Sequence, residues 1–539
     1  MLKKNAITCL VACCPMLCMA QALFFLGNRP EQSDIQYDGF RLRWQTNLPS
    51  SALIYYGTTT LPSELIAVPN TAPEHSVNVT GLQPGAIYWV RIAAIRQNDT
   101  AYSEIRPFAT RSLSSGEIRV FFNQGIDEAA AGGLVPAGAS FSDVLTETLA
   151  RINAAQQTID VAMYNTSRND IVSALKQAHS RGVRVRFIAS ADTENAALKP
   201  APLFPVLYGN QEALMHNKFM VIDAGLADRC WLMGGSMNWT YSNMSADYNN
   251  TLFIQDQSLA RAYELEFNEM WGADQTLPNP ATARFGAAKT DNTPHQFVIG
   301  DIPAECWFSP SDQVTQQIVR AIQSADQQAC FAIFSFTRNE IGNAFVNAHE
   351  SGVQVRGIME NLGDPGAEFN WLTTNGVPVL PHPAAPLMHH KYMVSDAGFP
   401  ASDPLVLTGS HNWSTAAETA NDENTLVLHD PDIAVLFQAE FERRWKETSS
   451  TATFSTEKAP FDIFPNPASE FLYLRSAAEP FLPAGIEIWN NTGSLCIAMP
   501  MNGEPLGRVP VDRLPQGFYF LKIITESGVT TVPFQKVPR

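Results

Sequence analysis

The spacing of hydrophobic positions changes along the 539-residue chain and divides it into segments. From residue 28 to 112, apolar and polar residues alternate at every second position between turn residues, which is typical of half-buried β-strands. From residue 116 onward, short apolar strands alternate with amphipathic helices. This second pattern indicates an α/β region with a mainly parallel sheet covered on both faces.

The α/β pattern occurs twice. Residues 116–275 contain the strand TIDVAMYN, the helix RNDIVSALKQAHSRG and the strand VRVRFIAS, and residues 300–446 contain ACFAIFSF, RNEIGNAFVNAHESG and VQVRGIME in the same order. Matching residues in the later part of the repeat are separated by a nearly constant offset, which is 173 positions between His216 and His389. We therefore predict two copies of one domain, related by a pseudo-two-fold axis.

The first residues have the pattern of a secretory signal peptide. Lys3 and Lys4 precede an apolar run that ends in the A-x-A cleavage site AQA, so residues 1–22 are predicted to be removed on export. The alternatives are a membrane anchor, for which the run is short, and a lipoprotein acylated at Cys13. No later segment of the sequence is long and apolar enough to predict an integral membrane span.

Residues 28–112 predict a β-sandwich. GFRLRWQT, SALIYYG, HSVNVTGL and AIYWVRIAAI are its predicted strands, with Trp44 in an early strand. The stretch GLQPGAIYW places Tyr88 at the start of a strand, where a tyrosine corner is expected. The segment resembles a fibronectin type III domain. The resemblance implies a spacer or a binding module, and no catalytic group of residues is predicted here.

The last segment, residues 459–539, predicts a small β-sandwich of short strands separated by Asn-Thr-Gly and Pro-Gln-Gly turns. It contains PNPAS near its start and LPQGFYFLKI near its end. With both motifs it resembles the C-terminal sorting domain of type IX secretion cargo. The resemblance implies export across an outer membrane by the type IX machinery, followed by removal or surface attachment. The alternative is an ordinary binding sandwich.

Two short stretches carry the candidate chemistry. MHNKFMVID, at 215–223, and MHHKYMVSD, at 388–396, both fit H-x-K-x4-D. Residues two apart on a strand point to the same side, so each histidine and its lysine face one way. A Gly-Ser-x-Asn turn follows each stretch. If the two copies meet at the pseudo-two-fold axis, one cleft holds two imidazoles, two ammonium groups and two amides, which suits a phosphodiester and its more highly charged transition state.

With both motifs present twice in register, residues 118–446 resemble the phospholipase D superfamily. The resemblance implies a duplicated fold of two mixed-sheet α/β halves and metal-independent phosphodiester cleavage without a cofactor. One histidine would form a phospho-histidine, and the other would protonate the leaving alcohol and then activate water. The residues implied as catalytic are His216, Lys218, Asp223, His389, Lys391 and Asp396, and those implied to bind phosphate are Ser236, Asn238, Ser410 and Asn412.

In two-copy members of this superfamily, a carboxylate that follows the G-S-x-N turn of one half orients the histidine of the other half. Glu423 has this place in the second copy, whereas the first copy has Asn249. An anionic partner fixes the tautomer of an imidazole and stabilises its cation, so we assign His216 as the nucleophile and His389 as the general acid. Asp247 is a possible substitute for the missing carboxylate.

Charge bears on the substrate. The whole chain has a net charge of -17. Residues 116–275 hold 11 Lys and Arg against 18 Asp and Glu, and residues 300–446 hold 7 against 18. This excess of acid opposes nucleic-acid binding, which depends on phosphate contacts and counterion release, and favours a phospholipid headgroup. The alternatives are a secreted endonuclease, which the compact copies resemble, and a surface-binding protein with an inactive core. Residues 129–139, AAAGGLVPAGA, are a candidate membrane-docking loop.

Other polar residues add little to these hypotheses. His382, His389 and His390 lack carboxylates or cysteines at a spacing that suits a metal, so no metal site is predicted. His390 alternates away from His389 and is interpreted as packing or surface. The four cysteines outside the leader are scattered, which allows one or two disulfides. A monomer is sufficient to form the predicted active site.

Overall fold

The computed structural model describes residues 22–382, 385–453, 461–476, 485–490, 495–500, 506–525 and 528–538. The predicted signal peptide lies outside the described residues apart from Ala22. The chain divides into two compact units between Thr448 and Ser449. In the described part of the chain, no helix has the length and apolar character that crossing a membrane requires. No disulfide joins Cys230, Cys306, Cys330 and Cys496.

The first unit begins with a six-stranded antiparallel sheet in which β2 pairs with β1, β3 and β4. Its strands are β1 (Phe25–Gln36), β2 (Gly39–Gly57), β3 (Glu64–Thr80), β4 (Ile87–Arg96), β5 (Asp99–Tyr102) and β6 (Arg106–Ala109). The Tyr88 hydroxyl accepts a hydrogen bond from the backbone N–H of Gln83 at 2.9 Å, the contact expected of a tyrosine corner. The fibronectin type III resemblance stays a prediction.

The first α/β half is built on a seven-stranded sheet in the order β10-β9-β8-β11-β12-β13-β7. Its strands are β7 (Ile118–Phe122), β8 (Thr158–Met163), β9 (Arg184–Ser190), β10 (Val206–Gly209), β11 (Lys218–Ile222), β12 (Trp231–Gly235) and β13 (Asn250–Ile254). Its helices are α1 (Phe141–Ala154), α2 (Asn169–Ser180), α3 (Tyr241–Ser245) and α4 (Gln257–Trp271), with a 3-10 turn at Ala196–Leu198.

The second half has an eight-stranded sheet in the order β14-β15-β21-β20-β19-β16-β17-β18. Its strands are β14 (Gln296–Ile299), β15 (Ile302–Ser309), β16 (Gln328–Ile333), β17 (Gln354–Met359), β18 (Val379–Pro381), β19 (Lys391–Ser395), β20 (Leu405–Gly409) and β21 (Glu423–Leu428). Its helices are α5 (Val314–Gln323), α6 (Asn339–Glu350), α7 (Phe369–Thr374), α8 (Thr415–Thr419) and α9 (Pro431–Thr453); a 3-10 turn at Gly286–Ala288 precedes this half.

Each of these sheets is mixed, which confirms the duplicated fold but corrects the expectation of a mainly parallel sheet. Only β8, β9 and β10, and their counterparts β16, β17 and β18, run parallel to one another; the other pairings are antiparallel. The reason is the connection length. Parallel neighbours need a crossover of about a dozen or more residues, and the loop between Ile222 of β11 and Trp231 of β12 is too short for one, so these strands are antiparallel.

The closing helix of each half packs between the two sheets. In α4, the Tyr263 ring lies 5.1 Å from Phe219 of its own half and 4.9 Å from Phe308 of the other half. In α9, the Phe437 ring lies 5.1 Å from Phe122 of the first half. These residues belong to one continuous buried core. Because this core is shared, each half is held against the other by apolar burial, and the two H-x-K strands meet at a defined position.

The predicted docking loop does not border the candidate cleft. Ala131 is buried at 1 % exposure, while Val135 is exposed at 83 % and lines a cavity with Ile302 and Ile433.

The second unit contains two antiparallel sheets around a small apolar core. Its strands are β22 (Phe461–Phe464), β23 (Phe471–Ser476), β24 (Gly485–Asn490), β25 (Leu495–Pro500), β26 (Leu506–Pro510), β27 (Gly517–Thr525) and β28 (Gly528–Lys536).

Candidate active site

The start of each H-x-K strand pairs with the other half of the molecule. The backbone N–H of His216 donates to the carbonyl of Asp422 at 2.9 Å, and that of His389 donates to the carbonyl of Tyr248 at 3.0 Å. Isolated bridges between Met215 and Asp422 and between Tyr248 and Met388 extend this pairing. The pseudo-two-fold relation therefore brings both motifs to one place.

Each histidine is held by a side chain from the opposite half. Nδ1 of His216 lies 2.6 Å from Oε2 of Glu423, and Nδ1 of His389 lies 2.9 Å from Oδ1 of Asn249. Both imidazoles are buried, at 6 % and 8 % exposure. Asp247 does not replace the missing carboxylate, because its side chain accepts from the backbone N–H of Leu387 and the amide of Asn243 instead. With Nδ1 engaged by an acceptor, Nε2 of each ring is left for chemistry.

The two lysines are buried beside their histidines. Nζ of Lys218 donates to the carbonyl of His216 at 2.6 Å, and Nζ of Lys391 donates to that of His389 at 2.8 Å. Exposure of the lysines is 0 % and 1 %. A buried ammonium group is costly unless it is paired, so two of them facing one cleft favour an anion there.

The G-S-x-N turns need their glycines. Gly235 has φ 149° and Gly409 has φ 154°, and a Cβ on either would lie 2.4 Å or 2.2 Å from a backbone carbonyl of the neighbouring strand. The serines support the turn: Ser236 Oγ donates to Asn249 Oδ1 at 2.9 Å, and Ser410 Oγ accepts from the backbone N–H of Asn424 at 3.0 Å.

Two predicted phosphate ligands have spare hydrogen-bonding capacity. Within the described residues, the side-chain oxygens of Asn238 and Asn412 are buried and have no hydrogen-bond partner. Buried polar atoms in folded proteins nearly always have a partner, so such a pair indicates a place where a ligand or water completes the bonding. These oxygens only accept hydrogen bonds, so water or another donor would complete them, whereas an anionic phosphate would be bound by the side-chain N–H groups of the same two asparagines.

Asp223 and Asp396 lie away from the cleft, which corrects the expectation that they are catalytic. Asp223 accepts three backbone N–H bonds of 2.7 to 2.9 Å from residues 156–158, and Asp396 does the same with residues 326–328. Each aspartate follows its H-x-K strand at the end opposite the lysine. A rise of about 3.4 Å per residue places it about 17 Å from that lysine. Their φ values are 49° and 52°. Both carboxylates therefore anchor the start of the adjacent antiparallel strand, β8 in the first half and β16 in the second.

Burial and mutual repulsion govern the charges in the cleft. Burial, followed by the charges of Lys218 and Lys391, holds the pKa of His216 well below its usual value, and the pKa of His389 is lowered for the same reasons. Burial lowers the pKa of Lys391 to about 7. Burial also raises the pKa of Glu423 to about 7, against the opposing charge of Lys218. The cleft thus disfavours positive charge, and an anionic ligand would reverse that bias.

Sequence reasoning did not identify the aromatic residues beside the histidines. The Tyr164 ring lies 4.9 Å from the His216 ring and 5.0 Å from Nζ of Lys218. Phe334 has the same relation to the second motif, at 5.1 Å from His389. Both lie near the end of a predicted strand, TIDVAMYN or ACFAIFSF, at an offset of 170 positions, so the repeat itself could have indicated them. The Tyr164 hydroxyl also donates to Asp192, an exposed carboxylate near the His216 side of the cleft.

His382 and His390, two histidines near the second motif, have carboxylate partners. Nδ1 of His382 lies 2.8 Å from Glu360, and Nε2 of His390 lies 3.1 Å from Glu440. His390 is buried at 1 % exposure, so the surface interpretation of this residue is wrong and the packing interpretation fits. Trp239 and Trp413, which follow the turn asparagines, are fully buried in the two outer cores.

A family model described as "Cardiolipin synthase, PLD-like domain" matches residues 148–271 and 318–445, one match in each half. The mitochondrial cardiolipin hydrolase of Xenopus laevis is 31 % identical over 156 residues, which cover 28 % of this chain and 71 % of that protein. This chain belongs to the phospholipase D superfamily. The mouse mitochondrial cardiolipin hydrolase is 30 % identical over 148 residues, covering 27 % of this chain and 64 % of the relative. The protein is accordingly a hydrolase of phosphodiester bonds.

Two solved structures have detectable similarity to this chain. Nuc of Salmonella typhimurium, a phospholipase D family member, is 29 % identical with a TM-score of 0.24 and covers 26 % of this chain and 93 % of its own. The phosphatidylserine synthase of Haemophilus influenzae is 13 % identical with a TM-score of 0.42 and covers 57 % of this chain and 85 % of its own.

The C-terminal segment has its own match. A family model described as "Secretion system C-terminal sorting domain" covers residues 462–536. The predicted type IX sorting domain is thereby confirmed. The protein is therefore directed to secretion or the outer cell surface.

Proposed function

We propose that this protein is a secreted phospholipase D-type hydrolase, which removes the headgroup of a phospholipid through a covalent intermediate on His216. The observation that supports the proposal most is the pair of buried imidazoles held by side chains of opposite halves, at 2.6 Å from Glu423 and 2.9 Å from Asn249. Each imidazole has a free Nε2 beside a buried lysine, as a two-step displacement at one phosphorus requires.

In the first step, the Nε2 lone pair of His216 attacks phosphorus, and the bond from phosphorus to the leaving alcohol breaks. Glu423 holds the proton on Nδ1 and stabilises the cationic phospho-histidine that forms. His389 gives its Nε2 proton to the leaving oxygen. The amide of Asn249 orients that ring without adding negative charge, so His389 releases its proton readily. The anionic phosphodiester between the rings favours the protonated state that His389 needs at the start.

In the second step, His389 takes a proton from water, and the hydroxide oxygen bonds to phosphorus as the bond to His216 breaks. The products are phosphatidic acid and the free enzyme. Lys218 and Lys391 bind the two non-bridging oxygens, whose negative charge increases in the transition state. Asn238 and Asn412 supply the remaining polar contacts. Ser236 and Ser410, which the sequence suggests as phosphate ligands, act here by supporting their turns.

A lipid headgroup fits the charge of the protein better than a nucleic acid does. The two halves together carry a large excess of acidic residues, and Asp192 adds an exposed carboxylate near the His216 side. A polynucleotide brings several phosphates that this surface would repel, whereas a phospholipid with a single phosphodiester brings one. The curated relatives are named for hydrolysis of cardiolipin, which is also a phospholipid. The N-terminal sheet, residues 28–112, is proposed to act as a spacer or binding module.

A paired assay tests the proposal. The purified protein is incubated with mixed micelles of phosphatidylcholine or phosphatidylethanolamine, and in parallel with supercoiled plasmid; headgroup release and nicking are measured. Headgroup release that disappears in His216→Ala and His389→Ala supports the proposal. Plasmid nicking without lipid turnover would identify an endonuclease instead. A folded protein that turns over neither substrate would favour a surface-binding role with an inactive core.

A further inference from the structure

The two cross-half partners differ in charge, and the residues directly across the strand from them differ in polarity. In the second half Gly409 pairs with Thr425, and the backbone N–H of Ser410 bonds to the carbonyl of Asn424 at 3.0 Å. Continued by one residue, this register puts His411 opposite Glu423. Cross-strand neighbours have Cβ atoms about 5 Å apart and interact directly.

The first half has the same register with different residues. Gly235 pairs with Thr251, and the backbone N–H of Ser236 bonds to the carbonyl of Asn250 at 3.1 Å. The corresponding neighbours are Met237 and Asn249. The charged partner thus has an imidazole across the strand, and the neutral partner has a thioether. The residue across the strand and the cross-half partner therefore both differ between the two halves.

His411 is buried but has unused hydrogen-bonding groups. Its exposure is 3 %, and neither ring nitrogen has a hydrogen-bond partner among the described residues. The nearest acid on its other side is Glu418, whose Oε2 is 3.8 Å from Nε2 of His411. Met237, its counterpart, is 1 % exposed, so an apolar side chain fills this position equally well. Packing alone therefore does not account for a histidine here.

We propose that His411 is a positioning residue that keeps Glu423 ionised, and so keeps His216 in the tautomer that attacks phosphorus. The inference rests on the proposed function, because it assumes that His216 is the nucleophile. Oε2 of Glu423 accepts from His216 at 2.6 Å, and Oε1 lies 3.4 Å from the amide of Asn421. Neither ring nitrogen of His411 hydrogen-bonds to this carboxylate, so its N–H acts on Glu423 as a cross-strand dipole, which stabilises the charged form.

Other groups around the pair set the direction of the effect. Glu423 also faces Lys218, Lys391 and the hydroxyl of Ser410, and burial raises its pKa to about 7 despite these groups and His411. His411 faces Glu423, Glu418, Arg338 and His216, and burial lowers its pKa to about 4. His411 is therefore neutral at pH 7 and acts as an N–H dipole. Without that dipole, the His216–Glu423 pair takes up a proton at a higher pH.

The experiment compares His411→Met, which installs the residue of the other half, with His411→Gln, which retains an N–H donor. Met237→Leu is the matched control for a change at the symmetric position. The dependence of kcat/KM on pH is measured with a phospholipid in mixed micelles. We expect His411→Met to move the acidic limb up by about one pH unit, which is a tenfold loss below the limb or about 1.4 kcal/mol, with little change at pH 8. His411→Gln and Met237→Leu should keep the wild-type limb.

An unchanged acidic limb in a folded His411→Met protein would overturn the inference. If His411→Met does not fold, nitrogen NMR of the imidazole of His411 in the Glu423→Gln protein decides. A changed tautomer or titration of His411 supports the coupling, and a spectrum identical to the wild type contradicts it. A wild-type protein that turns over no phosphodiester would instead refute the proposed function, while the NMR measurement would still report on the coupling of His411 to Glu423.

Discussion

Oε2 of Glu423 lies 2.6 Å from Nδ1 of His216, although the two residues belong to different halves and are 207 positions apart in the chain. The contact exists because the shared core packs α4 and α9 between the two sheets. The strand that carries His216 then pairs with the residues just before Glu423. Neither half can form this dyad alone, so activity depends on both copies.

Both histidines are expected to be essential for turnover. His216→Ala and His389→Ala should each reduce kcat by at least about 10³-fold, because one removes the nucleophile and the other the proton donor of a single site. Headgroup release from mixed micelles is the measurement, and His349→Ala on α6 is the control. Near-normal activity in either single variant would contradict the shared cleft.

Substitutions of Glu423 and Asn249, the partners of the two histidines, are expected to have different effects. Glu423→Gln should lower kcat by about 10- to 100-fold, because the cation on His216 loses its stabilising charge. Asn249→Asp should raise the pKa of His389 from its lowered value, since a carboxylate favours the imidazolium, and should move the alkaline limb to higher pH. The pH dependence of kcat checks both. If Asn249→Asp inhibited the first step and Glu423→Gln had no effect on it, His389 would be the nucleophile and His216 the general acid.

Lys391 is expected to lower the stability of the folded protein although activity requires it. Its pKa is lowered from 10.5 to about 7 by burial, so between these values the unfolded chain holds a proton that the folded chain has lost. The stability penalty is therefore full below about pH 7 and fades as the pH rises toward 10.5. Lys391→Met should raise the melting temperature at pH 6, raise it less at pH 9.5, and abolish activity. Lys199→Met, at an exposed lysine, should do neither; an equal change at both pH values would argue against the charge as the cause.

Asp223 is expected to act on stability rather than on chemistry. Asp223→Ala leaves three backbone N–H groups without their acceptor and should lower the free energy of unfolding by about 3 kcal/mol. The folded fraction should keep kcat within about threefold of the wild type. Urea unfolding and kcat are measured together, with the exposed Asp228→Ala as control. A large loss of kcat without a loss of stability would show that Asp223 is catalytic, as the sequence suggests.

Chelation is expected to leave turnover intact. Two buried lysines supply the positive charge that a metal ion would otherwise provide at the phosphate, so the proposed chemistry needs no added cation. Headgroup release is measured before and after dialysis against EDTA, with a magnesium-dependent nuclease treated in the same way. Strong inhibition that one divalent cation reverses would point to a metal-assisted mechanism.

Local pattern in the sequence was sufficient for several features. The hydrophobic periods predicted the helices, the strands and the duplication, because burial of one face imposes a period that is visible without the fold. The H-x-K spacing placed each histidine and its lysine on one side of a strand for the same reason. The C-terminal motifs identified the sorting domain, since they are short and contiguous in the chain.

Tertiary structure alone decided which residues of the two motifs share the cleft. The sequence grouped Asp223 and Asp396 with the histidines because they belong to the same contiguous motif, but a strand of five residues carries its ends far apart. It left open whether Asn249 or Asp247 faces His389, and it gave no sign that His411 lies across from Glu423. These contacts join residues that are distant in the chain, and their geometry is set by how the two sheets pack on the shared core. Spacing along the chain does not encode that packing.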